Sequence, residues 1–211
     1  MNRLEEIFTD QALVEKVKKK LPYLFQLAEL EASRAGKVGM EVGSVREKII
    51  IALLIYKFGK ENVETEIPIT EPEVDVKVFG EPVSIKTVTK NGGIKAVWTV
   101  DALKAREFLD NYSPVCDMLV VRIKWGGIGY VSYVPVEVQQ KTFNILGGER
   151  YFRLPKEGTN PRGVEFSREA MAFLLNNDGT IGIDIYWRKS EIKHETYQRW
   201  VDLWNDDSYP P

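Results

Sequence analysis

Between Glu71 and Thr87 the chain alternates with period two, which constrains this stretch more tightly than any other. Val74, Val76 and Val78 alternate with Asp75 and Lys77, and Val83, Ile85 and Val88 recur after a Gly80-Glu81-Pro82 turn. Strand side chains point alternately to the two faces of a sheet, so the spacing predicts two short strands joined as a hairpin. Asp75 on the first strand and Lys86 on the second then share one side of the sheet, near one end of it.

The flanking segments set the fold class. Apolar residues at helical spacing from Leu4 to Glu31 predict an N-terminal helical region, with Pro22 opening a second helix. Ala35 to Gly43 reads as a Gly-punctuated loop. Ser44-Val45-Arg46-Glu47 reads as a capping box opening a helix that ends near Gly59, and the run from Ile49 to Ile55 is apolar nearly all round, as in a helix packed deep on a sheet. After the hairpin come a polar loop at Lys90-Asn91-Gly92-Gly93 and a helix capped by Thr99 or Asp101 and ending near Asn111. Strands follow at Val115–Lys124, Tyr130–Val136 and Ile181–Trp187, and the last helices at Ser167–Asn176 and Glu195–Asn205. The order predicts an α/β (α+β) fold with a mixed central sheet flanked by helices. With 211 residues, 44% of them hydrophobic, one domain is expected: a helical region over 1–34, a core over 44–136, and recognition and C-terminal elements over 137–211.

Composition excludes several classes. The opening residues lack a basic-then-apolar leader, and no apolar run approaches the roughly 20 residues that span a bilayer, so a cytoplasmic protein is expected. The lone Cys116 permits no internal disulfide and reads as a buried strand residue. A net charge of −2 argues against a bulk electrostatic grip on nucleic acid. Cations are local instead: the balance is +4 over Ser84–Arg106 and +3 over Lys141–Arg168, against −3 over Glu191–Asp207.

An acid and a lysine on adjacent strands suit metal-dependent phosphodiester cleavage. Mg²⁺ prefers one or two carboxylates, a carbonyl and retained waters, and a neighbouring lysine can stabilise the transition state or orient the attacking water. Asp75, the Ile85 carbonyl and Lys86 form a minimal set that still wants a second carboxylate. Other readings stay open at this point: Asp75 and Lys86 as an ordinary cross-strand ion pair, Glu47 as the reciprocal member of the capping box, Glu73 as the ligand because it shares Asp75's face, and Ser84 as a hydroxyl with a backbone partner. His194 stands alone near the last helix and reads as a solvated or capping residue.

Pro72-Glu73-Val74-Asp75, then eight residues, then Ser84-Ile85-Lys86, preceded by a helix with Arg46-Glu47-Lys48, resembles the type II restriction endonucleases of the PD-(D/E)XK nuclease fold. Within them the length and the region from Gly39 to Thr87 are similar to the ThaI type, cutters of CG-rich tetranucleotides. The resemblance implies a Mg²⁺-dependent endodeoxyribonuclease with Asp75 as the metal-binding aspartate and Lys86 as the catalytic lysine. It departs at Ser84, where the family pattern has Asp or Glu, and so implies a second metal ligand from elsewhere. Glu47 is the first choice and Asp101 the second.

A short palindromic duplex site is read most simply by a two-fold protein, so a homodimer on double-stranded DNA is expected. Base reading needs polar side chains on loops that reach a groove. Lys90, Asn91 and Lys95 on one loop qualify, as does the irregular segment Asn144–Gly163, where Arg150 and Arg153 read first as phosphate or surface contacts and second as base readers. Met40, between Gly39 and Gly43, reads as a wedge between base steps or as a core gap-filler. Two alternatives remain beside restriction cleavage: a structure-specific or repair nuclease of the same fold, and a non-catalytic DNA-binding or globular protein.

Overall fold

The structure, a computed structural model, describes the chain apart from residues 1–2, 35–36, 39–40, 69, 72, 90–92, 98–101, 155–162, 196 and 207–211. Helices α1 (Glu6–Thr9) and α2 (Gln11–Glu31) precede a two-residue ribbon, β1 (Ser33–Arg34) and β2 (Lys37–Val38), and then α3 (Val42–Phe58). Strands β3 (Val63–Glu64), β4 (Val76–Val78), β5 (Glu81–Thr89) and β6 (Lys95–Val97) lead to α4 (Ala102–Asn111), β7 (Asp117–Ile123) and β8 (Ile128–Val134). There follow α5 (Val136–Leu146), α6 (Gly148–Tyr151), β9 (Phe152–Arg153), β10 (Val164–Phe166), α7 (Arg168–Leu175), β11 (Ile181–Tyr186) and α8 (Gln198–Trp204).

The main sheet has six strands in the order β11-β8-β7-β5-β4-β3. It is mixed, since β5 and β7 run parallel while the other pairs are antiparallel. A parallel pair needs a crossover, and α4 lies within it. One face carries Val83, Ile85, Leu119 and Val121 against apolar residues of α2 and α3, including Phe25, Ile50 and Leu54. The other carries Val88, Met118, Val120 and Val134 against α4 to α7, with Tyr151 and Phe152 at the centre of an aromatic cluster. A small sheet, β6-β10-β9, completes that second layer.

The fold class is as expected, and several local expectations are corrected. Pro22 opens no helix: α2 runs through it, with Leu21, Pro22 and Phe25 all buried. A proline inside a helix removes one hydrogen bond and costs about 3 kcal/mol, which the burial of a 21-residue helix offsets. The break falls earlier, where Asp10 caps α2 by accepting from the Leu13 N–H at 3.2 Å. The Ser44 capping box is not made either, because α3 begins at Val42 with Glu41 at its N-cap and no side-chain cap. The hairpin turn is Phe79-Gly80, with φ of 54° and 86°, and Pro82 lies inside β5 opposite Lys77. Phe79 tolerates its left-handed backbone while packed between Phe58, 5.6 Å away ring to ring, and the Arg3 guanidinium. The segment read as irregular from Asn144 onward contains the end of α5, all of α6 and β9.

Candidate active site

The β4–β5 register places the site. Val76 pairs with Val83, so Asp75 stands one residue before β4 and opposite Ser84, its own N–H donating to the Val83 carbonyl at 3.0 Å. Ser84 and Lys86, two apart on one strand, share a face. Asp75 Oδ2 accepts from the Ile85 N–H at 2.5 Å and from Ser84 Oγ at 3.2 Å, and Lys86 Nζ stands 3.9 Å away. Oδ2 is thereby fixed in place, and no hydrogen bond joins Oδ1 to any described residue.

Ser84 is buried, 4% exposed, so its hydroxyl orients the carboxylate. The partner expected for it was backbone; the structure gives a carboxylate instead.

Glu47 lies in the second turn of α3. Burial pushes its carboxyl above the usual range, the negative charge of Asp75 pushes it further, and Lys86 and Lys48 pull it back. These couplings put Glu47, Asp75 and Lys86 within electrostatic reach of one another. Two carboxylates that repel each other, one with an Oδ1 that no described residue hydrogen-bonds, fit a divalent cation, which relieves the repulsion and prefers oxygen donors. Among the described residues no group of three or more His, Cys, Asp or Glu side chains could hold a metal.

Glu73 is the more deeply perturbed acid. Burial raises it to about 7, against the pull of Lys86. Cys116 Sγ donates to its backbone carbonyl at 3.8 Å. Burial, and then Glu73, push the Cys116 thiol up to about 12, which leaves it an inert buried residue.

The expected DNA-contacting residues divide. Met40, Lys90, Asn91 and the alternative ligand Asp101 lie outside the described residues. Lys95 on β6 stands 3.9 Å from Glu165. Arg150 is bound by Glu169 and also ties α6 to α7 through its carbonyl, which accepts from Ser167 Oγ at 2.5 Å. Arg153 is exposed and lines an open cleft of about 860 Å³.

That cleft and a buried ionic hub are what sequence reasoning missed. In strand register Lys86, Val120, Ser132 and Gly182 form one row across β5, β7, β8 and β11, and Val88, Arg122, Tyr130 and Asp184 form the next. Ser132, Gly182, Arg122, Tyr130 and Asp184 floor the cleft, which Arg153 and Arg168 flank. It therefore opens on the sheet face that bears Lys86, about 10 Å away by two strand spacings. The alternation of Arg122 and Tyr130 within their strands was the available signal, but only the register aligns them with Lys86. The hub is Glu29, 8% exposed, which accepts from Arg46 at 2.5 Å and from Trp125 Nε1 at 2.7 Å, with Lys189 at 3.5 Å. Its one sequence trace is a lone acid within the apolar Leu27-Ala28-Glu29-Leu30.

A family model described as restriction endonuclease ThaI matches residues 7–206. A solved structure described as a restriction endonuclease in complex with substrate DNA is 54% identical, covers 97% of this chain and 99% of its own, and superposes with a TM-score of 0.91. Comparison with proteins of curated function gives no match. The family match spans nearly the whole length, and an acid at the entry of β4 meets a lysine on β5 in a mixed sheet; the chain belongs to the ThaI restriction endonuclease family and is a type II restriction endonuclease.

Proposed function

We propose that this chain hydrolyses double-stranded DNA with Mg²⁺ as cofactor, at a short palindromic site of the CG-rich, four-base kind, working as a homodimer in the cytoplasm. The observation that carries the reading is the meeting of Asp75 with Lys86 and the electrostatic coupling of Glu47 to both. Asp75 and Glu47 hold the cation, with the Ile85 carbonyl as a third donor. When bound, that cation supplies charge neutralisation at the phosphate and lowers the pKa of a coordinated water.

The chain's own residues do the rest. Ser84 and the Ile85 N–H hold Asp75 in one rotamer, so that it needs no reorganisation on binding. Lys86, its ammonium directed to the same carboxylate, faces the scissile phosphate, orients the attacking water and stabilises charge on the phosphoryl oxygens. Arg153, with Arg122 and Arg168 of the cleft, faces the DNA, where arginine pairs bidentately with phosphate or guanine. Glu73 stays beside the site as a proton-retaining acid, and Asp101 remains the alternative ligand. The domain division is a helical layer over 1–34, a catalytic core over 44–136 and recognition elements beyond. The similar structure, a restriction endonuclease with substrate DNA that is 54% identical to this chain, supports DNA as the partner.

Incubation with Mg²⁺ and unmethylated plasmid is expected to give discrete fragments with 5′-phosphate and 3′-hydroxyl ends. No cutting of unmethylated DNA of varied sequence sinks the reading, and cutting only of branched DNA returns it to a repair nuclease.

A further inference from the structure

The C-terminal arm is built unlike the rest of the molecule. Its root is fastened: Gln26 donates from Nε2 to the Ser190 carbonyl at 2.7 Å and accepts the Ser190 N–H at 2.9 Å, while Lys189 reaches Glu29 and lies 5.1 Å from the Trp125 ring. Beyond it, α8 has no buried residue. Tyr197, Trp200, Val201 and Trp204 are 75%, 58%, 47% and 89% exposed. Tyr197, Val201 and Trp204 recur at i, i+4 and i+7 with Trp200 beside them, which makes one apolar stripe. A helix of two turns is marginal in water by itself, so such a stripe needs a cover.

The arm's charge, −3 over Glu191–Asp207, sets it against DNA phosphates and toward a cationic protein face. This chain carries such a face. On α2, Lys16, Lys19, Lys20, Tyr23 and Leu24 fall at i, i+3, i+4, i+7 and i+8, all of them exposed, and Tyr56 of α3 joins them through Lys16, whose ammonium lies 4.5 Å from its ring centre. The α2 face is basic and aromatic, whereas the arm is acidic and aromatic. The eight residue steps from Ser190 to Gln198 reach about 26 Å if extended, enough to cross to a neighbour. Three aromatics on each of two arms, with about three quarters of roughly 150–250 Å² each still exposed, bury about 700–1,100 Å² from the arms, and the α2 faces beneath them add a comparable area, the scale of a stable interface.

We propose that α8 of each protomer and the Tyr197 at its N-cap pack their Tyr197, Trp200, Val201 and Trp204 stripe on the Lys16, Lys19, Lys20 and Tyr23 face of α2 in a second copy of this chain, an exchange of arms across a two-fold axis. The proposal rests on the homodimer reading above and names its interface. It also removes the exposed apolar surface from both copies at once, as an isologous contact does.

Sedimentation velocity of the full chain without DNA, at micromolar concentration, tests it. Wild type is expected to sediment as a dimer, and Trp200→Ala with Trp204→Ala as a monomer with unchanged circular dichroism. Lys19→Glu with Lys20→Glu is expected to weaken the dimer at least tenfold, and adding Glu195→Lys and Asp202→Lys to restore it. A wild-type dimer that survives the tryptophan substitutions overturns this interface and leaves the homodimer standing. A monomeric wild type overturns both. A tryptophan variant that stays dimeric but loses DNA affinity in fluorescence anisotropy assigns the arm to DNA and likewise overturns the proposal.

Discussion

Asp75 Oδ2 accepts the backbone N–H of Ile85 at 2.5 Å, so a carboxylate just ahead of β4 is held by the main chain of β5. That bond needs no particular side chain at position 85, and it explains how a serine can stand at Ser84 without loosening the aspartate. Lys86→Ala should leave this arrangement intact while removing the ammonium 3.9 Å away. The expected outcome is DNA binding within about twofold of wild type and single-turnover cleavage lower by about 10²–10⁴. Retained cleavage refutes the assignment of Lys86.

Glu47→Gln separates two roles that coincide in sequence. Since α3 starts at Val42, Glu47 has no cap to lose, and thermal stability should not fall. The variant should even gain slightly, because a buried carboxyl raised by Asp75 becomes neutral. Cleavage should nonetheless drop by about 10² or more, and Mg²⁺ binding by calorimetry should weaken. A stable variant with full activity moves the second ligand away from Glu47.

Ser84→Ala removes one hydrogen bond to Asp75 and leaves the Ile85 N–H in place. A stability loss of about 1 kcal/mol is expected by denaturant titration. The accompanying loss of rate should be modest, well short of that for Lys86→Ala, and a rate loss equal to that for Lys86→Ala would show that Ser84 does more than orient.

Glu73 makes metal-free stability depend on pH. Its folded pKa is raised from 4.5 to about 7, so between those values the folded chain holds a proton that the unfolded chain has released. Stability from this group is full below pH 4.5, declines as pH rises from 4.5 to about 7, and is flat above. Melting temperatures measured over that interval in chelator should fall with pH, and Glu73→Gln should flatten the slope.

Glu29→Ala strips Arg46 of its buried counter-charge. A loss of about 3–5 kcal/mol is expected, while Glu29→Ala with Arg46→Leu should recover much of it. Equal stability of the single and double variants contradicts a buried pair.

The hairpin and the meeting of Asp75 with Lys86 were legible because period-two alternation fixes which side chains share a face. The sheet was legible from the apolar run within Val115–Lys124, which marks a strand buried on both faces, and from the alternation of Ile181–Trp187. Pro22 misled because local steric cost is only one contribution, and tertiary burial of α2 outweighed it. Ser44 misled because a capping box is a pattern that several residues in a row can satisfy, and α3 starts two residues before it. The Arg122, Tyr130 and Asp184 row was not legible at all: it depends on the register among β7, β8 and β11, set by contacts far apart in the chain. Glu29 and Arg46 likewise meet across 17 residues and two helices.

The Glu29–Arg46 pair bears on how the chain could be taken apart. Arg46 precedes Glu47, the proposed second ligand, and its acid sits on α2, in the segment that reads most readily as an appendage. A trimmed version lacking residues 1–34 would leave the Arg46 guanidinium without its acid one position from Glu47. A chimera that borrows its first helices from another nuclease would need a matching acid at position 29. Modularity suggested by the sequence ends at that pair, and a version without the first helices is expected to lose a bond that is buried in the full chain.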